Sequence, residues 1–316
     1  MSTVRRILVA TSLGKTSDPV VRAGHIMARY IDAELHLAHA YSIAATFYGS
    51  PMGMATVHPY PVESERDQVE GLLNNQLERL GLSQEDVNET TLAAGTPHRL
   101  LINTAQEANA DLIVVGASDE QSALMMGSTA DRILRLAHKP VLVVRGELAL
   151  PPKRILIPLD LSDLCEESIR AGLAFLDSLC GESCPELQTL FVLSNVERTG
   201  SSQFSPDQVE RFAQEELERR TQELCEGTRW TATSCLRIGR PQHEILAELE
   251  ERPADIVLAG THGRSGFERL LLGSVACDLV RRSSTHVLVV PPDAARAAAE
   301  EEIHRALENE RLAATG

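Results

Sequence analysis

The sequence predicts two consecutive α/β domains, each a five-stranded parallel sheet with helices on both faces. Three observations carry this. The chain has 316 residues, beyond the roughly 250 to 300 at which a single core stops growing. Short apolar runs alternate with amphipathic stretches, the signature of strand–helix–strand units whose right-handed crossovers leave few topologies. The whole series then occurs twice, and such self-similarity marks a duplicated architecture.

The elements follow in order. Arg6-Ile7-Leu8-Val9-Ala10 matches Arg154-Ile155-Leu156-Ile157-Pro158, and runs this short and apolar read as buried parallel strands. Ser17-Asp18-Pro19 sets cap residues before a first-turn proline, and Ser162-Asp163 precedes Glu166 at capping-box spacing, so a helix starts after each strand. Val20, Ala23, Met27 and Ile31, like Ile169, Leu173 and Leu176, recur at helical period. Second strands follow at Leu35 to Ala40 and Leu187 to Leu193, and second helices at about Glu63 to Leu80 and Pro206 to Cys225. The stretch 42–62 is the longest irregular segment, long enough to cover a cleft.

Third strands end in Gly95-Thr96-Pro97 and Gly239-Arg240-Pro241, where glycine makes the turn and proline opens a third helix. Fourth strands lie at Asp111 to Gly116 and Asp255 to Gly260. Gly127-Ser128 and Gly273-Ser274 each open a fourth helix, before fifth strands at Val141 to Val144 and Val287 to Val290. The expected domains are 1–148 and 151–292, joined at Pro151-Pro152, with an acidic, helix-prone tail over 293–316 that reads as a solvated or frayed end or as an interaction helix.

Composition narrows the function. A net charge of −15 repels polyanions, and no basic stripe offsets it, which argues against nucleic acid. No stretch approaches the ~18 apolar residues of a membrane span, and the start does not resemble a signal peptide, so a soluble cytoplasmic protein is expected. All six cysteines lie in the second half, which suits free thiols rather than a disulfide framework.

In an open doubly wound sheet, ligands bind beyond the carboxyl ends of the strands where strand order reverses. In the second half that region holds Asp160, at the end of strand 1, and Gly260-Thr261-His262-Gly263-Arg264 followed by Gly273-Ser274-Val275, the pattern G-x2-G-x9-G-S. Glycines at 260 and 263 allow a sharp turn with positive φ that presents amides to phosphate oxygens. At the start of helix 4, unpaired amides and the dipole favour an anion, and the Ser274 hydroxyl adds a donor. Asp160 is suited to ribose hydroxyls, or to a divalent ion shared with phosphates, or to capping helix 1.

These segments, with Ile155 to Asp160 and His286 to Val290, resemble the ATP-binding universal stress protein family, closely over 153–291 and more loosely over 5–145. The resemblance implies two Rossmann-like domains of the adenine nucleotide alpha hydrolase type and a stress-response protein that binds ATP, with Mg, in its second domain and is regulated by that nucleotide. Carried over position by position, the contacts are Pro158, Asp160, Val192, Gly260, His262 through its backbone, Gly263, Arg264, Gly273, Ser274 and Val275. Arg264 either reaches a phosphate or stands as an exposed loop arginine. The resemblance also implies that the fifth strands, which pair across a dimer in family members, pair here within one chain; further dimerisation and the protein partners are not read from the sequence.

The first repeat departs from the pattern. Ser12 aligns with Asp160, Asp119 stands where Gly263 would be, and the loop before Gly127 is shorter, so it is expected to bind no ATP. Two alternative functions stay open: a nucleotide-independent scaffold contacting partners through 42–62 or the tail, and a weak ATPase or adenylating enzyme of the same superfamily. Gly14-Lys15-Thr16 lacks the preceding glycine of a P-loop. Cys180, Cys184 and Cys225 could gather at the far end of the sheet as a zinc site or as structural thiols. His25, His36 and His39 do not converge at strand spacing, and no nucleophile elbow or activated cysteine is evident.

Overall fold

Alternation along the strands decides how this chain stacks. In β1 (Arg6–Ala10), Ile7 and Val9 join one core and Leu8 the other, and all three are fully buried. A strand apolar on both faces needs a helix layer on each side. The structure, a computed structural model, describes residues 4–41, 45–49, 55–59, 62–117, 129–201, 203–261 and 273–291, with the backbone alone at 45–49, 55–59 and 62–65.

The first repeat continues through α1 (Asp18–Ile31), β2 (Glu34–Tyr41), β3 (Ala45–Gly49), β4 (Ala55–Pro59), α2 (Val62–Leu80), β5 (Glu89–Ala94), α3 (Pro97–Glu107), β6 (Leu112–Gly116), α4 (Thr129–Leu136) and β7 (Val141–Val144). The second holds β8 (Arg154–Leu159), α5 (Asp163–Cys180), β9 (Glu186–Leu193), α6 (Asn195–Thr199), α7 (Pro206–Cys225), β10 (Ala232–Ile238), α8 (Pro241–Glu251), β11 (Ile256–Gly260), α9 (Ser274–Arg282) and β12 (His286–Val290).

The strands form one sheet in the order β10-β9-β8-β11-β12-β7-β6-β1-β2-β5. Each half is parallel, and strand order reverses between β1 and β6 and between β8 and β11. The halves join where β12 runs antiparallel to β7, Leu288 opposite Leu142. On one face α1, α2, α5 and α7 share a core that runs across both repeats; on the other, α3, α4, α8 and α9 cover a second. His286 locks the joint: its Nδ1 accepts from the Arg145 N–H at 3.0 Å and its Nε2 donates to the Glu147 carbonyl at 3.2 Å.

Glycine is required at two pairs of matching positions. Gly95 and Gly239 hold φ of 153° and 154° just before the prolines that start α3 and α8, a backbone only glycine adopts readily. Gly24 and Gly172 press α1 and α5 onto the sheet, where a Cβ would overlap Val9 in one repeat and Leu258 in the other.

Several expectations are corrected. The segment 42–62 is not irregular throughout, because β3 and β4 pair antiparallel in a separate ribbon. Ser17 occupies the N-cap of α1 without capping it; its hydroxyl donates to the Gly14 carbonyl at 2.9 Å and accepts from buried Gln76. Ser162 does cap α5, yet no capping box forms, because the third helical residue is Cys165 while Glu166, one position later, pairs with Arg220 at 2.5 Å. The loop residues Asp119, Gly127, Ser128, His262, Gly263 and Arg264, and the tail 293–316, lie outside the described residues.

Candidate functional site

Pro158 sets the shape of the candidate site. Proline has no N–H to give a neighbouring strand, and the recorded β8–β11 pairing stops at Leu156 opposite Val257, whereas β1–β6 pairs one step further, to Val9 opposite Val114. The strands of the second repeat therefore part early at the reversal point. Beyond Leu159 the edge of β9 that faces β8 opens as well. Leu193 directs its carbonyl the other way, to the Gly239 N–H at 3.0 Å, so by alternation the Val192 carbonyl faces this opening.

The result is a cleft of about 350 Å³. Leu190, Val192, Ile245 and Ala259 form an apolar floor, and the polar rim holds Asp160, Glu197, Gly273 and Ser274. Of the expected site residues, Pro158, Asp160, Val192, Gly260, Gly273, Ser274 and Val275 all line it. His262, Gly263 and Arg264 lie outside the described residues.

Asp160 is oriented by its own turn: Oδ1 accepts from the Ser162 N–H at 2.9 Å and from the Ser162 hydroxyl at 2.6 Å. The Ser162 hydroxyl in turn accepts from the Cys165 N–H at 3.3 Å. Asp160 thus supports the start of α5 indirectly, through Ser162, while its carboxylate borders the cleft.

At the other rim two expectations change. Gly260 is still in β11 opposite Val290, and Thr261 extends that pairing with its N–H on the Val290 carbonyl at 3.3 Å, so the chain does not turn at Gly260. Gly273 does not offer an unpaired amide, because it donates to the Thr261 carbonyl at 2.7 Å. That bond seats the start of α9, whose first internal bond runs from the Cys277 N–H to the Gly273 carbonyl. The first-turn amides left without an intrahelical acceptor are those of Ser274, Val275 and Ala276. The Ser274 hydroxyl accepts from Gln242 Nε2 at 3.1 Å, which leaves its proton for a ligand.

Sequence reasoning missed Cys165, Glu197, Gln242 and Ile245, because they come from helices outside the glycine motif. Glu197 had a legible signal: Ser194-Asn195-Val196-Glu197 has capping-box spacing, and the box forms. Cys165 is buried, and desolvation pushes its thiol up to about 12, so this thiol is no nucleophile.

Among the described residues no group of three or more His, Cys, Asp and Glu could hold a metal ion. Cys180 is buried, with its thiol pushed up to about 11 by desolvation, whereas Cys184 is exposed. His36 is buried against Thr91, its Nε2 at 2.8 Å from Oγ1. No described helix is long and apolar enough to cross a membrane.

Comparison with known proteins accounts for this architecture. The universal stress protein family model matches residues 3–145 and again 151–291. A universal stress protein of Mycolicibacterium smegmatis is 26% identical over 290 residues, covering 90% of this chain and 97% of its own. Universal stress protein YxiE of Bacillus subtilis is 31% identical over 147 residues, 44% of this chain and 98% of its own. Among solved structures, a universal stress protein from Archaeoglobus fulgidus superposes with a TM-score of 0.61 at 19% identity over 92% of this chain and 97% of that one, which speaks to the fold. The chain belongs to the universal stress protein family, as a tandem member with one family domain in each half.

Proposed function

We propose that the second domain binds ATP, taken up with Mg, and that occupancy of this one site alters the contacts the chain makes with partner proteins in a cytoplasmic stress response. The first domain, with Ser12 in place of Asp160, binds no ATP. One observation carries the reading: the cleft at the second domain's strand-order reversal combines an apolar floor with a helix start whose first-turn amides at Ser274, Val275 and Ala276 lack intrahelical partners.

The chemistry divides along the cleft. Leu190, Val192 and Ile245 suit the flat apolar faces of a base, with the Val192 carbonyl as an acceptor for its amino group. Asp160, already turned toward the cleft by Ser162, suits the ribose hydroxyls. The start of α9 suits the phosphates, and the Ser274 hydroxyl adds a donor. Mg, taken up with the phosphates, would be held by them and by Asp160 and would supply neutralising charge.

Calorimetry with Mg·ATP on the full chain tests this. The expected result is one ATP per chain. Asp160→Ala should weaken binding about 10- to 100-fold, the loss of a charged hydrogen bond worth ~1.5 to 3 kcal/mol. Ser274→Glu places a carboxylate at the helix start and should abolish binding without harming α9, whose dipole it favours. An unliganded wild type at millimolar ATP, or full affinity in Ser274→Glu, rejects the proposal.

A further inference from the structure

The first domain holds a cleft of its own, and it is built from the same positions. Its volume is about 310 Å³, against about 350 Å³ in the second domain. The floor corresponds residue by residue: Ala38, Ala40, Leu101 and Val115 stand where Leu190, Val192, Ile245 and Ala259 stand. Pro97 and Gly116 likewise match Pro241 and Gly260. The duplication has therefore kept the cavity and not merely the fold around it.

What differs is charge. Ser12 replaces Asp160, Ser17 replaces Cys165, Thr129 replaces Val275 and His39 replaces Phe191. No carboxylate lines this cleft among the described residues, and each change puts a hydroxyl or an imidazole where the second domain has a carboxylate, a thiol or a hydrocarbon. His39 Nδ1 lies 2.8 Å from the Thr11 carbonyl; a carbonyl only accepts, so Nδ1 donates there and Nε2 is left for another partner.

The wall is also preorganised. Gln76 is fully buried; its Oε1 accepts from the Thr11 hydroxyl at 2.7 Å, and its Nε2 donates to Ser17 Oγ at 3.1 Å and Asp18 Oδ1 at 2.9 Å. Thr11 Oγ1 accepts from the Leu13 N–H at 2.9 Å. These hydroxyls are committed, and those of Ser12, Thr16 and Thr129 remain for a ligand.

We propose that the first domain's cleft binds an uncharged nucleoside, so that one chain carries a triphosphate site and a nucleoside site side by side. The cavity lies at the small end of the ~300 to 1,000 Å³ range of ligand pockets, enough for a base and sugar. Hydroxyls and an imidazole over an apolar floor suit an uncharged ligand, which loses little on entering, and among the described lining residues no carboxylate stands ready to share the divalent ion that a triphosphate brings. The ligand class rests on the nucleotide reading of the second cleft, while the presence of a ligand rests on the first cleft's own geometry.

The test is calorimetry on the full chain saturated with Mg·ATP, titrated with adenosine, guanosine, cytidine and uridine. At least one nucleoside should bind at one per chain without displacing ATP. Ala40→Phe, which fills the floor, should remove that binding, and His39→Ala, a milder change, should weaken it about tenfold, both with ATP uptake and melting temperature retained. No saturable binding of any of the four overturns the proposal. So does binding that both variants leave untouched, or a nucleoside that only competes with ATP. Should ATP itself fail to bind, the same variants still read nucleoside binding in the first cleft, so the two proposals fail separately.

Discussion

Leu13 and Leu161 hold the same left-handed backbone, φ 61° in each, at the turn between first strand and first helix of their repeats. A non-glycine residue there carries about 1 to 2 kcal/mol of strain, and both repeats keep it. In the second, the turn brings Ser162 back onto Asp160. The strained turn thus aims the carboxylate that borders the cleft.

Ser162→Ala removes the one hydroxyl that both caps α5 and steadies Asp160. We expect a stability loss of about 1 kcal/mol together with a several-fold weaker ATP affinity. Thermal unfolding and calorimetry on one preparation measure both. An unchanged affinity would separate Asp160's orientation from binding.

Glu248 and Arg154 meet at 3.0 Å, with side chains only 3% and 10% exposed. Arg237 also donates to Glu248, at 2.7 Å. Glu248→Leu removes the buried carboxylate partner of Arg154, leaving it the Arg252 carbonyl, Gln188 and the more distant Glu186 at 3.9 Å, and should cost about 3 kcal/mol, the low end for breaking a buried pair. The double variant Arg154→Met with Glu248→Leu should recover much of that loss in urea denaturation. An additive double variant would show that the two residues are not coupled.

Burial holds the imidazoles of His36 and His286 below the ordinary histidine value, although Glu89 opposes this at His36 and the Glu147 carbonyl at His286. The unfolded chain, with histidines near ~6.5, therefore takes up protons before the folded one. Their contribution to stability is complete above that pH and is lost as pH falls below it. Melting temperature should decline from pH 7 to 5, and His286→Gln should flatten the decline. A profile identical to wild type would exclude His286 as a source.

Gly172→Ala drives a methyl into buried Leu258, and overpacking of this kind costs about 1 to 3 kcal/mol. Gly24→Ala should do the same against Val9 in the first repeat. Chemical denaturation reads both, and neutral behaviour would mean that the helices can lift off the sheet without loss.

Much of the fold was legible because the sequence repeats itself. The bounds of α7 match the expected Pro206 to Cys225, and β7 and β12 pair as the resemblance implied. The β3–β4 ribbon was not legible, since its short strands sit among Gly, Pro and Met residues that read as loop. At the cleft, residue types were readable and hydrogen-bond partners were not. Nothing local reveals that Gly273 gives its amide to Thr261 or that Gln242 reaches Ser274, because both bonds span a separation only the folded sheet closes.

The antiparallel seam between β7 and β12 has a consequence for how the molecule can vary. Each half spends its sticky border on the other, and the tether between them makes that union indifferent to dilution. Two freely associating copies would have to remain self-complementary, so any change would appear twice. Here each half answers to a fixed, unlike neighbour, and one crevice is free to change its lining while its sibling stays as it is.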